Sequence, residues 1–410
     1  MRILIVTQYF WPENFRINDL ALGLRDKGHS VSVLTGYPNY PGGTLFPGYR
    51  MFRNKREEYE GITIHRVPML PRGRNSKLRL VLNYASFVLS ASLLGPFRCK
   101  EAYDLIFVYE PSPVTVGLPA IVLKWHAKVP MLFWVQDLWP EAVASVGVLR
   151  ARWALAALGR LVRFVYRHCD CILVQSRAFA DAIEKQGIAA SQIRYFPNSA
   201  EGLYRPIHAA GDCPEADLMP AGFRVLFAGN IGIPQDFGTI LAAAESLREW
   251  PDIHWVIVGD GREAAWAKAE VARCGLEGIV KFLGPHPAER MPYFFALADA
   301  LLVTLRKHPI AGLTIPSKLQ SYLACGRPVV AALDGEGARV IQEAQAGFAA
   351  EPGEPAALAG AVLAMYHLPE EKRRQMGERA RAYFEEHFER EKLLGVLDGW
   401  MREFAREAAQ

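Results

Sequence analysis

Cysteine is scarce in this chain, six residues in 410, and Cys99, Cys169, Cys171, Cys213, Cys274 and Cys325 fall in no paired metal-ligand spacing. That excludes a disulfide framework or a zinc ribbon as the organising device and points to buried thiols in a reduced, cytoplasmic compartment. An excess of charge is missing too. With 47 Lys and Arg against 43 Asp and Glu, the formal net charge of +4 is too small to suggest a nucleic-acid binder of this size. The first strand is not followed by G-x-G-x-x-G, which argues against a dinucleotide-dependent dehydrogenase. Nor does a D-x-D sequence occur anywhere. Long apolar runs are few. The opening MRILIVTQYFWPE turns polar at once, so it reads as a first buried strand too short for a signal peptide.

One apolar stretch is long, LRLVLNYASFVLSASLLGPF at 78–97, preceded by RGRNSKLR. It touches the lower limit for a bilayer span, but Asn83, Tyr84, Ser86, Ser90 and Ser92 dilute it. Three readings follow in order: a helix of the sheet layer, an interfacial helix held by the basic residues before it, and a true span. A span would cut a continuing α/β domain in two. In RARWALAALGRLVRFVYRH, Arg152, Arg160, Arg163 and Arg167 alternate with Trp153, Leu158, Leu161 and Phe164. This pattern suits an anionic membrane surface, and it equally suits solvated arginines on a core helix.

The length calls for two domains. Residues 3–6 read as a strand, Ile17 onward as an amphipathic helix ended by Gly28, and Val31–Thr35 as the next strand. That opens a doubly wound sheet, whose ligands bind beyond the carboxyl ends of its strands. Glu13, Asn14, Arg16, Tyr37 and Asn39 therefore lie on a functional edge as acceptor-site candidates. The aromatic turn YPNYPGG suits sugar stacking or plain loop packing. Residues 1–204 form this first domain, 205–222 (Pro, Ala and acid rich) a linker, and 223–389 a second βαβ series. A last helix, about 390–410, is long enough to return to the first domain.

The stretch Pro309–Leu333 is where chemistry concentrates. A helix opening at Ser317 and Lys318 leaves backbone N–H groups unpaired and puts a cation in the same turn. A lysine at the positive end of a helix is an electrostatic cost that an arriving phosphate would offset. Glycine-terminated strands ending at Gly229 and Gly259 converge on the same edge. Such a pair of domains suits a nucleotide-sugar transferase or a sugar-nucleotide epimerase.

With VQDLWPE and PNSAEGLY in the first half, the run AGNIG, VGDG, VKFLG, LADALLV and PSKLQSYLACGRPVV in the second resembles the family-four retaining glycosyltransferases of GT-B fold. The resemblance is strongest to the bacterial O-antigen, capsule and colanic-acid branch, including N-acetylfucosamine transferases, and it covers essentially the whole chain. It implies two Rossmann-like domains facing a cleft, the second holding the nucleoside diphosphate and the first the acceptor. It implies further that Lys318 faces the diphosphate and that Gly259 and its loop line the nucleotide. Phe282–His286 would lie near the base, with Leu313, Thr314 and Ser317 beside the lysine. Gln136 and Asp137 take the place of a His-Asp pair near the transferred sugar, which makes Asp137 a catalytic candidate alongside Lys318. Its alternative role is a helix N-cap. The family's paired glutamates fall on Leu313 and Ser321, so Gln320 or Ser321 is expected to replace the ribose contact. The family's phosphate-loop Arg and Lys fall on Asn230 and Gln235.

The implied reaction is retaining transfer from a UDP-sugar, with a GDP-sugar second, to an undecaprenyl-diphosphate-linked saccharide in surface polysaccharide synthesis. No cofactor is expected, and the lack of D-x-D implies no metal. The expected location is the cytoplasm, peripheral on the inner face of the membrane and bound to its anionic surface. The competing readings are a 2-epimerase of the same fold and a non-catalytic assembly protein with a degenerate nucleotide site.

Overall fold

Unbroken apolar runs such as Ile3–Val6 and Leu105–Tyr109 are what a strand covered on both faces requires. They become the central strands of two sheets in the computed structural model, which describes residues 1–73, 76–145, 151–207 and 213–408. The first unit comprises residues 1–196 and 391–410. Its elements are β1 (Arg2–Val6), α1 (Arg16–Asp26), β2 (Ser30–Gly36), β3 (Arg56–Tyr59), β4 (Ile62–Val67), α2 (Lys77–Arg98) and β5 (Leu105–Glu110), then α3 (Gly117–Ala127), β6 (Met131–Val135), α4 (Glu141–Ser145), α5 (Arg152–Arg167), β7 (Cys171–Val174), α6 (Arg177–Glu184) and β8 (Ile193–Tyr195). The sheet order is β3-β4-β2-β1-β5-β6-β7-β8, parallel except for the edge strand β3. The chain starts at β1, winds outward, and returns to β5 on the other side. The reversal between β1 and β5 is the position at which open α/β sheets bind ligands.

One face of this sheet is covered by α1 and the terminal helix, through Ile17, Leu20 and Leu24 and through Leu394, Leu397 and Met401. A hydrogen bond between His29 Nε2 and Asp398 Oδ1 at 2.9 Å and an ion pair of Arg194 with Glu403 at 2.6 Å fix that terminal helix. The opposite face carries α2, α3 and α5. Only a narrow stripe of α2 is buried, Asn83, Phe87, Ala91 and Gly95. It is a sheet-layer helix whose other sides are open, and it is long and apolar enough to cross a bilayer.

The second unit, residues 197–390, runs β9 (Phe223–Ala228), α7 (Phe237–Ser246), β10 (Ile253–Val258), α8 (Ala264–Cys274), β11 (Val280–Gly284), α9 (Met291–Leu297) and β12 (Ala300–Thr304). It continues with α10 (Ser317–Ala324), β13 (Val329–Ala332), α11 (Gly335–Glu343), β14 (Gly347–Ala350), α12 (Pro355–His367), α13 (Glu370–His387) and the start of the terminal helix α14 (Arg390–Glu407). The order β11-β10-β9-β12-β13-β14 is parallel throughout, with the reversal between β9 and β12. Alternate residues of β9 feed separate cores, Leu226 and Ala228 on one face and Phe223, Val225 and Phe227 on the other.

Two boundaries differ from expectation. Residues 197–204, expected in the first domain, and the described part of the expected linker 205–222 belong to the second unit. Ala200 and Met219 sit in its core, Tyr204 packs on that core, and Glu215 forks onto Arg290, with Oε2 accepting from Nη2 at 2.7 Å. The composition signalled a lack of regular structure there, which is not a lack of contacts. Residues 208–212 of that stretch lie outside the described residues, as do 74–75 of the basic segment before α2.

Candidate active site

A primary amine tolerates burial only if something offsets the lost water, and Lys318 is the site's clearest exception. Its side chain leaves the first turn of α10 and reaches across the carboxyl end of β9, where Nζ lies 3.6 Å from the centroid of the Phe227 ring. The ammonium is buried and no hydrogen-bond partner reaches it. Burial alone pulls its pKa down from the ordinary lysine value to about 7. The aromatic face offsets part of the cost and leaves all three donors unused. On the opposite side of α10, Leu319, Tyr322 and Leu323 enter the core, and the Tyr322 hydroxyl accepts from the Ala228 N–H at 3.0 Å. The helix start is thereby tied to the end of β9, beside the β9/β12 reversal.

The glycines are close-approach positions. A methyl group on Gly229 would lie 2.7 Å from Lys318 Cε, and its φ of +126° is outside the range of ordinary side-chain-bearing residues. A methyl on Gly259 would meet the Gly229 carbonyl oxygen at 2.0 Å. Because backbone is the obstacle there, Gly259→Ala is expected to lower folding stability by about 3 kcal/mol, read from a denaturant melt. Full stability in that variant would mean that the two loops are not in contact.

Around this point the structure brings together Lys318, Gly229 and Gly259; Gln235, whose Oε1 is another buried polar atom with no partner, lies farther along the β9 loop beside Gly232. Asn230 is exposed on the same loop, its amide near Gly232. Leu313 closes the single turn 311–313, and Thr314 Oγ1 donates to the Ala311 carbonyl at 3.1 Å. Ser317 is exposed at the helix start, where no side chain caps α10. His286, past the end of β11, packs edge-on against Phe294 at 4.7 Å. The two expected stand-ins for the missing glutamate differ. Ser321 Oγ donates within its own helix to the Ser317 carbonyl at 3.3 Å. Gln320 is buried and donates Nε2 to the Asn198 carbonyl at 2.5 Å, with Oε1 left over.

The first unit has its own polar edge at the β1/β5 reversal. Asp137 follows β6, and its carboxylate is hydrogen-bonded to the Ser112 side chain; it does not cap α4, which begins only at Glu141. Burial raises its pKa to about 6. Behind it lies Glu110, the last residue of β5, wholly buried, with Oε2 accepting from the Asp137 N–H at 3.4 Å. Burial first, and the neighbouring Asp137 charge second, push the Glu110 carboxyl well above the usual range. Tyr84 links Ser112 to Tyr9, and Tyr9 reaches Arg72. Sequence reasoning missed Glu110, Ser112, Tyr84 and Tyr9. The available signal was an acid at the carboxyl end of a fully apolar strand, just before the turn formers Pro111 and Pro113.

Three of the acceptor candidates work inside the protein. Glu13 is buried and its Oε1 accepts from the N–H groups of Asn39 at 2.8 Å and Tyr40 at 2.7 Å, tying the β1 loop to the β2 loop. Desolvation raises its pKa to about 7. Asn39 donates to the Tyr37 carbonyl at 2.9 Å and accepts from the Arg72 N–H at 2.9 Å, while Tyr37 is buried. Tyr40 packs on Phe15 and Tyr9, so loop packing accounts for the aromatic turn. Asn14 is exposed and Arg16 half-buried at the start of α1.

A lysine at the start of a helix beside glycine loops, on a doubly wound unit paired in sequence with another, defines the GT-B class of nucleotide-sugar-dependent glycosyltransferases. Sucrose-phosphate synthase from Thermosynechococcus elongatus superposes on the chain with a TM-score of 0.74 at 18% identity, covering 100% of both chains. HepE of Anabaena, solved with UDP and glucose, gives 0.67 at 19% identity over 98% of this chain and 99% of its own. Residues 14–199 match the glycosyl transferase 4-like domain and residues 220–383 the glycosyl transferases group 1 model. The chain belongs to the family-four glycosyltransferases, which pair those two domains. Among its relatives is WcaI of Escherichia coli strain K12, a glycosyl transferase assigned to colanic acid biosynthesis. The two are 28% identical over 341 residues, 80% of this chain and 82% of WcaI.

Proposed function

We propose that the protein is a retaining transferase of bacterial surface polysaccharide synthesis. It moves an N-acetyl-amino or deoxy sugar, N-acetylfucosamine being the model, from a UDP donor to an undecaprenyl-diphosphate-linked saccharide at the cytoplasmic face of the membrane. GDP-fucose is the second donor to test. The observation that carries this reading is the buried Lys318 ammonium, without a partner, held beside Gly229 at the end of β9. A diphosphate supplies the counter-charge that the site lacks.

In the proposed reaction the sugar–phosphate bond lengthens while Lys318 and the N–H groups at the start of α10 hold the growing negative charge. The acceptor hydroxyl attacks from the same face and passes its proton to the departing phosphate oxygen. The sugar becomes the acceptor's glycoside and the nucleoside diphosphate leaves. Asp137 is assigned to the cationic character of the transferred sugar, with Glu110 holding its backbone in place. No metal enters the scheme.

The test is a panel of radiolabelled nucleotide sugars incubated with the protein and a membrane lipid extract, with and without EDTA. Label is expected in the lipid fraction from one UDP-sugar, and chelation is expected to leave the rate unchanged. Conversion of the donor without any acceptor would favour an epimerase. A clear loss of transfer with EDTA would overturn the metal-free scheme.

A further inference from the structure

The helices α2, α3 and α5 lie side by side on one face of the first sheet and together carry eight Lys or Arg and no Asp or Glu. Acids make up 43 of the 410 residues, so their absence from three whole helices is a marked bias. On α2 the arrangement of a surface helix is inverted. Leu78, Leu89, Leu93 and Phe97 point outward, 63–72% exposed, with Val81 and Leu82 beside them. The inward stripe instead contains Asn83, which donates to the Leu70 carbonyl at 2.6 Å and accepts from Gln8 Nε2 at 2.7 Å. Those bonds tie α2 to the loops after β1 and β4.

Basic and aromatic groups continue the surface. Trp153 is 78% exposed at the start of α5, and Arg160, Arg163, Phe164, Arg167 and His168 line a cavity of about 390 Å³. Trp125 is exposed on α3. The nearby acid Asp170 is paired with Lys124 at 2.6 Å, so it does not cancel the arginines.

We infer that this face docks on an anionic phospholipid bilayer. α2 lies along the interface with its outward leucines and Phe97 in the acyl boundary, while the α5 arginines meet headgroup phosphates. A lipid surface is the occupant that offers an extended apolar layer and a phosphate layer at once. The apolar stripe runs the length of a 22-residue helix with Lys77 and Arg79 at its start, and no acid interrupts it. The inference is independent of the donor site, so the two can fail separately.

The experiment floats the full-length protein, without nucleotide, with vesicles of phosphatidylcholine alone or with about one third phosphatidylglycerol at physiological salt. Partitioning is expected to be at least tenfold higher on the anionic vesicles and to fall as salt is raised. A neutralised cation is worth about fivefold, so Arg160→Glu with Arg163→Glu is expected to lower partitioning by tenfold or more. Leu89→Ser with Leu93→Ser is expected to lower it comparably while the thermal melt stays unchanged, since both side chains are already in water. Equal partitioning into both vesicles, no flotation, or flotation that survives both variants would overturn the inference. So would a wild-type dimer that fails to float and becomes monomeric in the leucine variant, which would make the face a contact between copies.

Discussion

Replacing Lys318 by methionine is expected to lower kcat/KM for transfer by more than a hundredfold and, at the same time, to make the ligand-free protein more stable. The first effect follows from removing a buried cation placed at the end of β9 where a diphosphate would gather charge. Loss of such a group costs on the order of 3 kcal/mol of transition-state stabilisation. The second follows from the burial of the amine. A buried ammonium with no hydrogen-bond partner is a burden on the fold, expressed in the drop of its pKa to about 7. Methionine keeps the length and fills the space over Phe227 without a charge, so a gain of roughly 3 kcal/mol at pH 7 is expected. A nucleotide-sugar assay and a denaturant melt on the same sample check both halves. A variant that loses activity and stability together would mark Lys318 as a structural residue.

Binding of the donor's diphosphate is expected to take up a proton and to weaken about tenfold per pH unit above neutrality. In the empty protein Lys318 titrates near pH 7; in the unfolded chain it titrates at the ordinary lysine value. Between those two pH values the unfolded chain holds a proton that the native chain does not. Stability of the empty protein therefore rises with pH across that window and carries the full cost below it. A bound diphosphate, already doubly charged on its terminal phosphate above about pH 7, restores the charged amine. Calorimetric titration with UDP in two buffers of different ionisation enthalpy reads the proton directly. About half a proton per UDP is expected at pH 7, approaching one near pH 8.5. The Lys318→Met variant should show none, and a wild-type protein that binds UDP with no uptake at either pH would contradict the linkage.

The second unit was the more legible half of the sequence. Lys318 could be picked out because a cation in the first turn of a helix violates a local rule, and the glycines at 229 and 259 sit at the ends of apolar runs that read plainly as strands. What escaped notice there was short or weakly patterned. β14 is only Gly-Phe-Ala-Ala and half-buried, and α11 starts among glycines. In the first unit the β3–β4 hairpin was not read from residues 56–67. Side-chain direction on the acceptor edge was illegible for a different reason. Sequence position placed Glu13, Tyr37 and Asn39 correctly at the strand ends, but position does not say which way a side chain turns. Glu13 and Asn39 turn inward to satisfy loop backbone, which has no regular partner of its own, and the Tyr37 ring is buried beside them. Glu110 shows the converse. It stands next to the turn formers Pro111 and Pro113, where an acid reads as exposed, and the structure places it wholly buried behind Asp137.

A crystal structure of the protein with UDP tests the central claim most directly. The terminal phosphate is expected within about 3 Å of Lys318 Nζ and over the first turn of α10. A phosphate bound elsewhere, with Lys318 still lying unpartnered on the Phe227 ring, would contradict the account.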